Sequence, residues 1–185
     1  MKLYHEFDLD CYKSIQDYVL SYMTQFNVDP IYVKNILLPQ SLIEELNEEL
    51  GLLGLPSASN FLCFKRRNCI INTDQVHIDT TRSLAPIESS IILPIEGCAN
   101  TYMYWVNGDY KVIEKWIKNT DTPYADIEWQ SIPKIAAMVN ILDRPTLVRV
   151  DIPHSATSYQ HHYRTILSIR LQGNPGFLDV LDRLS

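Results

Sequence analysis

The sequence predicts an α+β protein. Two segments with a helical apolar period come first, at least six short strand-like runs follow, and the stretches between those runs are polar and turn-prone. Helices ahead of strands favour helices packed on one face of a largely antiparallel sheet, while many short strands spaced by turns also suit a jelly-roll barrel. In residues 11–26 the positions Tyr12, Ile15, Tyr18, Val19, Tyr22 and Met23 recur at three- and four-residue steps, which predicts an amphipathic helix. Residues 39–52 repeat the signal through Leu42, Ile43, Leu46 and Leu50, with Pro39 and Ser41 at the start and Gly51 and Gly54 near the end. The strand-like runs are 61–65, 76–79, 89–95, 101–106, 147–152 and 164–171, each rich in β-branched, aliphatic or aromatic residues. Residues 112–138 are ambiguous, since Val112, Ile113, Trp116 and Ile117 fit a helical turn or a strand and 129–138 is no clearer, and they stay unassigned. After Gly173, Asn174 and Pro175, the positions Phe177, Leu178, Val180, Leu181 and Leu184 predict a short closing helix.

The chain of 185 residues reads as a single domain over 1–185, with no repeat or low-complexity linker. At this length the chain buries roughly 70% of its unfolded surface, so a metal site would serve function before folding. With 16 Lys+Arg against 22 Asp+Glu the net charge is −6, which gives no long-range pull toward phosphate backbones or anionic membranes and disfavours nucleic acid as principal partner. Cys11, Cys63, Cys69 and Cys98 form no C-x-x-C pair and fit reduced thiols. The opening MKLYHEFDLD has no basic start before an apolar stretch, and no apolar window reaches about 18 residues, so a soluble, cytoplasmic protein is expected. The oligomeric state is not legible.

Of the five histidines, His77 is the informative one. In Gln75-Val76-His77-Ile78-Asp79 polar and apolar residues alternate, so on a strand His77 and Asp79 share a face, about 6.6 Å apart along the backbone, close enough to hold one ion. A surface His-Asp pair would produce the same three letters. His154 supplies a third ligand: it follows 147–153, where Val148, Val150 and Ile152 make one face that His154 continues, an apolar setting that limits water access. Arg164 stands ten residues later at the head of 164–171. A hairpin with 155–163 as its loop would bring it back beside His154, where a guanidinium could grip a carboxylate bidentately or pair with one of the protein's own acidic groups. His161 and His162, in that loop, are alternative ligands that lose the spacing to an arginine.

Two imidazoles and one carboxylate leave three positions of an octahedral ion open, an arrangement suited to non-haem Fe(II) and oxygen. His77-x-Asp79, then His154, then Arg164 resembles the Fe(II)/2-oxoglutarate-dependent dioxygenase superfamily over roughly 61–171. The strand pair 89–95 and 100–105 further resembles members related to aspartyl/asparaginyl hydroxylases and small stand-alone oxygenases. The resemblance implies a double-stranded β-helix core of jelly-roll, cupin-like type, with the N-terminal helices packed on one sheet. It implies Fe(II) held by His77, Asp79 and His154 as catalytic ligands, and 2-oxoglutarate held by Arg164. It further implies hydroxylation of a peptide side chain or small metabolite by molecular oxygen, with oxidative decarboxylation of the oxo-acid. Tyr102 and Tyr104 share a strand face and are further candidates for binding the oxo-acid or substrate, and Arg82, three residues past Asp79, for an anion. Many relatives carry Arg-x-Ser on the last strand, whereas Arg164 is followed by Thr165 and Ile166, with Ser168 beyond; Arg170, on the face of Arg164, is the fallback anchor. A binding module without oxygenase activity on the same scaffold, a structural β-sandwich and a zinc hydrolase are the competing classes.

Overall fold

The computed structural model describes residues 2–25, 31–69, 76–81, 85–99, 101–117, 122–141 and 143–184. Among the described residues the elements run β1 (Tyr4–Glu6), α1 (Tyr12–Thr24), β2 (Ile31–Asn35), α2 (Gln40–Leu52), β3 (Ala58–Cys69), β4 (His77–Asp79), β5 (Ser89–Glu96), β6 (Thr101–Asn107), β7 (Tyr110–Ile117), β8 (Thr122–Trp129), β9 (Lys134–Asn140), β10 (Thr146–Arg149), β11 (His154–Leu171) and α3 (Phe177–Leu184). The three helices form where the apolar period predicts them. Strands β3 and β11 extend well beyond the predicted runs, and the expected strand over 147–152 ends early, at Arg149.

All pairings between these strands are antiparallel, and they build two sheets that share β11. One runs in the order β2-β3-β11-β5-β10-β1, the other β7-β8-β4-β11-β6-β9. The first half of β11 pairs with β4 and β6 in the second sheet, and its second half pairs with β3 and β5 in the first. This is the double-stranded β-helix, a jelly roll. It replaces the expected hairpin: 155–163 is not a loop between two strands but part of one strand, with a register shift between Ser158 and Tyr163 where it passes from sheet to sheet. A straight strand would carry Arg164 about 33 Å from His154; the crossing lets both line one cleft.

The layers follow from the period-two alternation. On the first sheet Ile91, Leu93, Leu147, Leu167 and Ile169 face outward and are buried under Ile15, Val19, Leu46, Leu50, Phe177 and Leu181 of the helices. Helix α1 lies against β5, α2 against β3 and α3 against β10, so the closing helix joins the N-terminal pair on the same sheet. The Glu49 carboxylate of α2 accepts the backbone N–H groups of Asp10 and Cys11, both at 2.7 Å, satisfying donors at the start of α1 and tying the two helices together. The opposite faces of the two sheets meet in a second layer that includes Ile92, Met103, Trp105, Val148, Val150 and Ile166. The site lies at one end of that inter-sheet layer.

Residues 112–138, ambiguous in sequence, hold the rest of β7 past its first two residues, then β8 and most of β9, with 130–133 as the connection between the last two. Strands β7 and β9 are outermost in their sheet, and Val112 (47% exposed) and Ile113 (40%) point to opposite faces, both wet, so no alternation of buried and exposed positions marks the strand. Cys11, Cys63 and Cys98 are buried free thiols, and no described helix is long and apolar enough to cross a membrane.

Candidate metal centre

Strand β4 presents His77 and Asp79 to the cleft while Ile78, 5% exposed, goes to the other face. Its backbone is fixed by bonds outside the ladder: the Asp79 N–H donates to the Val150 carbonyl (3.1 Å), and the Asp79 carbonyl accepts from Ile87 N–H (2.9 Å). His154, first residue of β11, stands directly opposite His77 in the antiparallel register. Cross-strand partners share a face, so the two rings come together, with centroids 4.6 Å apart and planes inclined at 54°.

Asp79 Oδ1 lies 3.5 Å from His77 Nε2 and 4.0 Å from His154 Nε2, and one ligand atom from each of the three residues falls within 4.8 Å of the others. Ligands at right angles on an ion with bonds of 2.0–2.2 Å are about 3 Å apart, so small side-chain rotations close the set. The residues around the three ligands fit them to a divalent ion. His154 Nδ1 donates to the Ile152 carbonyl at 2.9 Å, which leaves the lone pair on Nε2, facing Asp79. Burial, then the neighbouring His77, brings the His154 pKa down to about 4, so the ring is neutral and ready to ligate at physiological pH. Burial alone would push the Asp79 carboxyl up, but the Arg170 guanidinium, followed by His154 and His77, holds it far below the usual carboxylate range. Arg170 donates through Nη2 to Asp79 Oδ2 and so leaves Oδ1 toward the histidines. Its other terminal nitrogen, Nη1, is buried with no hydrogen-bond partner among the described residues.

The cleft beside the three ligands is small, enclosing about 80 Å³, and opens to solvent. Its walls are largely apolar, among them Phe64, Ile92, Met103 and Ile166, and Arg164 enters from the first sheet, 7% exposed. The Arg164 charge lies against the Cys98 thiol, whose pKa burial nonetheless raises. Three serines complete the polar lining: Ser155 beside His154, and Ser90 and Ser168, 0% and 3% exposed and hydrogen-bonded to each other at 2.8 Å. Ser90 escaped the sequence argument. The signal for it was a serine on the alternation face of Ile92 in a strand otherwise apolar through Ile95.

The structure thus brings His77, Asp79, His154 and Arg164 around one cleft. Tyr102 and Tyr104 do not join them, because the intervening Met103 takes the cleft face. Tyr104 instead packs with Val76 and Val106 on the opposite side of the sheet. Arg170 shares the face of Arg164, Ile166 and Ser168 but ends on Asp79, outside the cleft lining. Arg82 lies outside the described residues, as do the side chains of His161 and His162.

No protein-family model matches the sequence, and no curated protein matches it. Among solved structures, the crystal structure of a Pseudomonas putida prolyl-4-hydroxylase is similar over 92% of this chain and 93% of that one, with 11% identity and a TM-score of 0.43. Neither the strand pairings nor the distances given above depend on that likeness.

Proposed function

We propose that the protein is a non-haem Fe(II)/2-oxoglutarate-dependent dioxygenase that hydroxylates a peptide side chain or a small metabolite. The observation that carries this is the convergence of His77, Asp79 and His154 within 4.8 Å at the mouth of a cleft that also holds a buried arginine. His77, Asp79 and His154 would hold the iron on one side, leaving the remaining positions to small ligands. Bound iron supplies the redox chemistry: one oxygen atom of O2 enters a substrate C–H bond, the other enters succinate, and the first carboxyl group of the oxo-acid leaves as CO2.

The chain's own residues prepare the site. Arg170 orients Asp79 and keeps it ionised; the Ile152 carbonyl fixes the His154 tautomer. A guanidinium as buried as that of Arg164 is stabilised by an anion, and the distal carboxylate of 2-oxoglutarate is the anion this reading assigns to it. The Ser90–Ser168 hydroxyl pair offers a polar contact on the same wall, in place of the serine two residues after the arginine. Apolar neighbours such as Phe64 and Ile92 keep water from the reacting atoms.

The test is anaerobic titration with Fe(II) and 2-oxoglutarate, followed by succinate release in air. A weak visible charge-transfer band, lost in His77→Ala, is expected together with slow substrate-free turnover. A protein that binds neither, or binds metal without any spectral response to 2-oxoglutarate and yields no succinate, is a binding module or a hydrolase instead.

A further inference from the structure

Arg164 and Arg170 share a face of β11, but their guanidinium groups meet different partners. Arg170 ends on the Asp79 carboxylate, which takes up its charge. Arg164, which lines the cleft, is hydrogen-bonded to the thiol of Cys98, a buried residue outside the cleft lining. Cys98 lies in the connection from β5 to β6, and that connection holds the sulfur in place. Strand β5 ends at Glu96, Gly97 turns the chain with φ +66°, a conformation that favours glycine, and the Cys98 carbonyl then accepts the Thr101 N–H (3.2 Å) and the Thr101 hydroxyl (2.7 Å). Cys98 Sγ comes within 3.4 Å of the Thr165 carbonyl and 3.5 Å of the Glu96 carbonyl. Thr165 and Glu96 are partners across β11 and β5, next to a register shift between Thr165 and Ile166, so the sulfur fills an irregularity in the ladder directly beside Arg164.

A thiol has one hydrogen to donate and a sulfur that accepts weakly. Carbonyl oxygens only accept and a guanidinium only donates, so the S–H goes to the Thr165 or Glu96 carbonyl and a sulfur lone pair faces Arg164. Only the protonated thiol makes both contacts, and burial, which raises the Cys98 pKa, keeps it in that form. Being neutral, the thiol orients the guanidinium without cancelling its charge. A carboxylate at position 98 would do the opposite: it would pair with Arg164 as Asp79 pairs with Arg170 and weaken the attraction for an incoming anion.

Resting on the oxygenase assignment, we propose that Cys98 is a positioning residue for the co-substrate: its neutral thiol ties the Arg164 guanidinium to the backbone where β11 meets β5 and holds it ready for the distal carboxylate of 2-oxoglutarate. Cys98 acts through Arg164. A side chain fixed in advance loses less freedom when its ligand arrives, so the contribution appears in the binding of the oxo-acid and leaves the binding of the metal untouched.

The experiment is calorimetric titration of the full chain, first with Mn(II) and then, at saturating Mn(II), with 2-oxoglutarate. Cys98→Ala should weaken 2-oxoglutarate binding roughly five- to tenfold, as loss of one hydrogen bond requires, with Mn(II) affinity unchanged. Cys98→Ser keeps a neutral group that both donates and accepts, and should stay within about threefold of wild type. Cys98→Asp should bind Mn(II) but weaken 2-oxoglutarate roughly 100-fold or more, because Arg164 is then paired internally. In an Arg164→Met background Cys98→Ala should have no further effect, since the thiol has nothing left to position. Wild-type affinity in Cys98→Ala, equal weakening in Cys98→Ser and Cys98→Ala, undiminished binding in Cys98→Asp, or additive losses in the double variant overturns the inference. If the buried carboxylate of Cys98→Asp prevents folding, the Ala and Ser pair and the double variant decide. Wild-type behaviour separates the two levels: a protein that binds Mn(II) but no 2-oxoglutarate fails the oxygenase assignment and the role of Cys98 with it, whereas a protein that binds both, with variants that depart from these outcomes, fails the role of Cys98 alone.

Discussion

Replacing Arg170 with methionine isolates the contact that prepares Asp79. The guanidinium and carboxylate are only 13% and 15% exposed, so the variant leaves a nearly buried carboxylate without its cation. Removing one member of a buried ion pair costs about 3–5 kcal/mol, because the charge left behind keeps its desolvation penalty. For a domain of this size each kcal/mol moves Tm by about 2–4 °C, so metal-free Arg170→Met should melt about 6–20 °C below wild type. A divalent ion supplies the missing positive charge, and saturating Mn(II) should recover a larger share of stability in the variant than in the wild type. Metal affinity itself should fall about 10–100-fold, since the partner that orients the ligand is gone. Calorimetric melts in EDTA and in Mn(II), with Mn(II) titration calorimetry, measure all three quantities. Asp79→Asn combined with Arg170→Met should be less destabilised than Arg170→Met alone. A single variant melting within about 2 °C of wild type, with unchanged Mn(II) affinity, would refute the role given to Arg170.

Three further outcomes are expected. The metal-free protein should lose stability as pH falls: His154 takes up its proton near pH 6.5 when unfolded but only near 4 when folded, so the unfolded state binds more protons across that window. The loss is about 3 kcal/mol by pH 4, and Asp79, also depressed, adds to it at lower pH; urea midpoints at pH 7, 5.5 and 4 check the sign. Arg164→Met should weaken 2-oxoglutarate binding by about 2 kcal/mol, roughly thirtyfold, while Tyr104→Phe leaves it unchanged, as titration in Mn(II) would show. Leu167→Ala, beneath the helices, should cost about 2–5 kcal/mol by urea denaturation while folded protein retains Mn(II) affinity, because that side chain faces away from the cleft.

The residues that do the proposed chemistry were mostly visible in the chain, and so were the helices. His77 and Asp79 share a face because strand geometry alternates by two, whatever surrounds them. The stripe Ile15, Val19, Met23 is buried because its spacing is that of a helix turn. What alternation cannot say is which face is inside. Tyr102 and Tyr104 share a strand face, but the cleft lies on the side of Met103, since the sheet buries Met103 and Trp105 against the other sheet. Strand β7 hid for a related reason: an outer strand whose Val112 and Ile113 are both exposed carries no period to read.

By itself, then, the sequence determined the local geometry of ligands two residues apart and the helical stripes, because these follow from backbone periods and apolar spacing, while the jelly roll was one of two arrangements the strand pattern allowed and was singled out only by the family resemblance. Only the tertiary structure decided the register that sets His154 against His77, the passage of β11 from one sheet to the other that brings Arg164 to the same cleft, and the ion pair from Arg170 to Asp79 across 91 positions of sequence. Those depend on how strands pair over long separations, where many registers satisfy the same alternation and the packing of the whole core selects one.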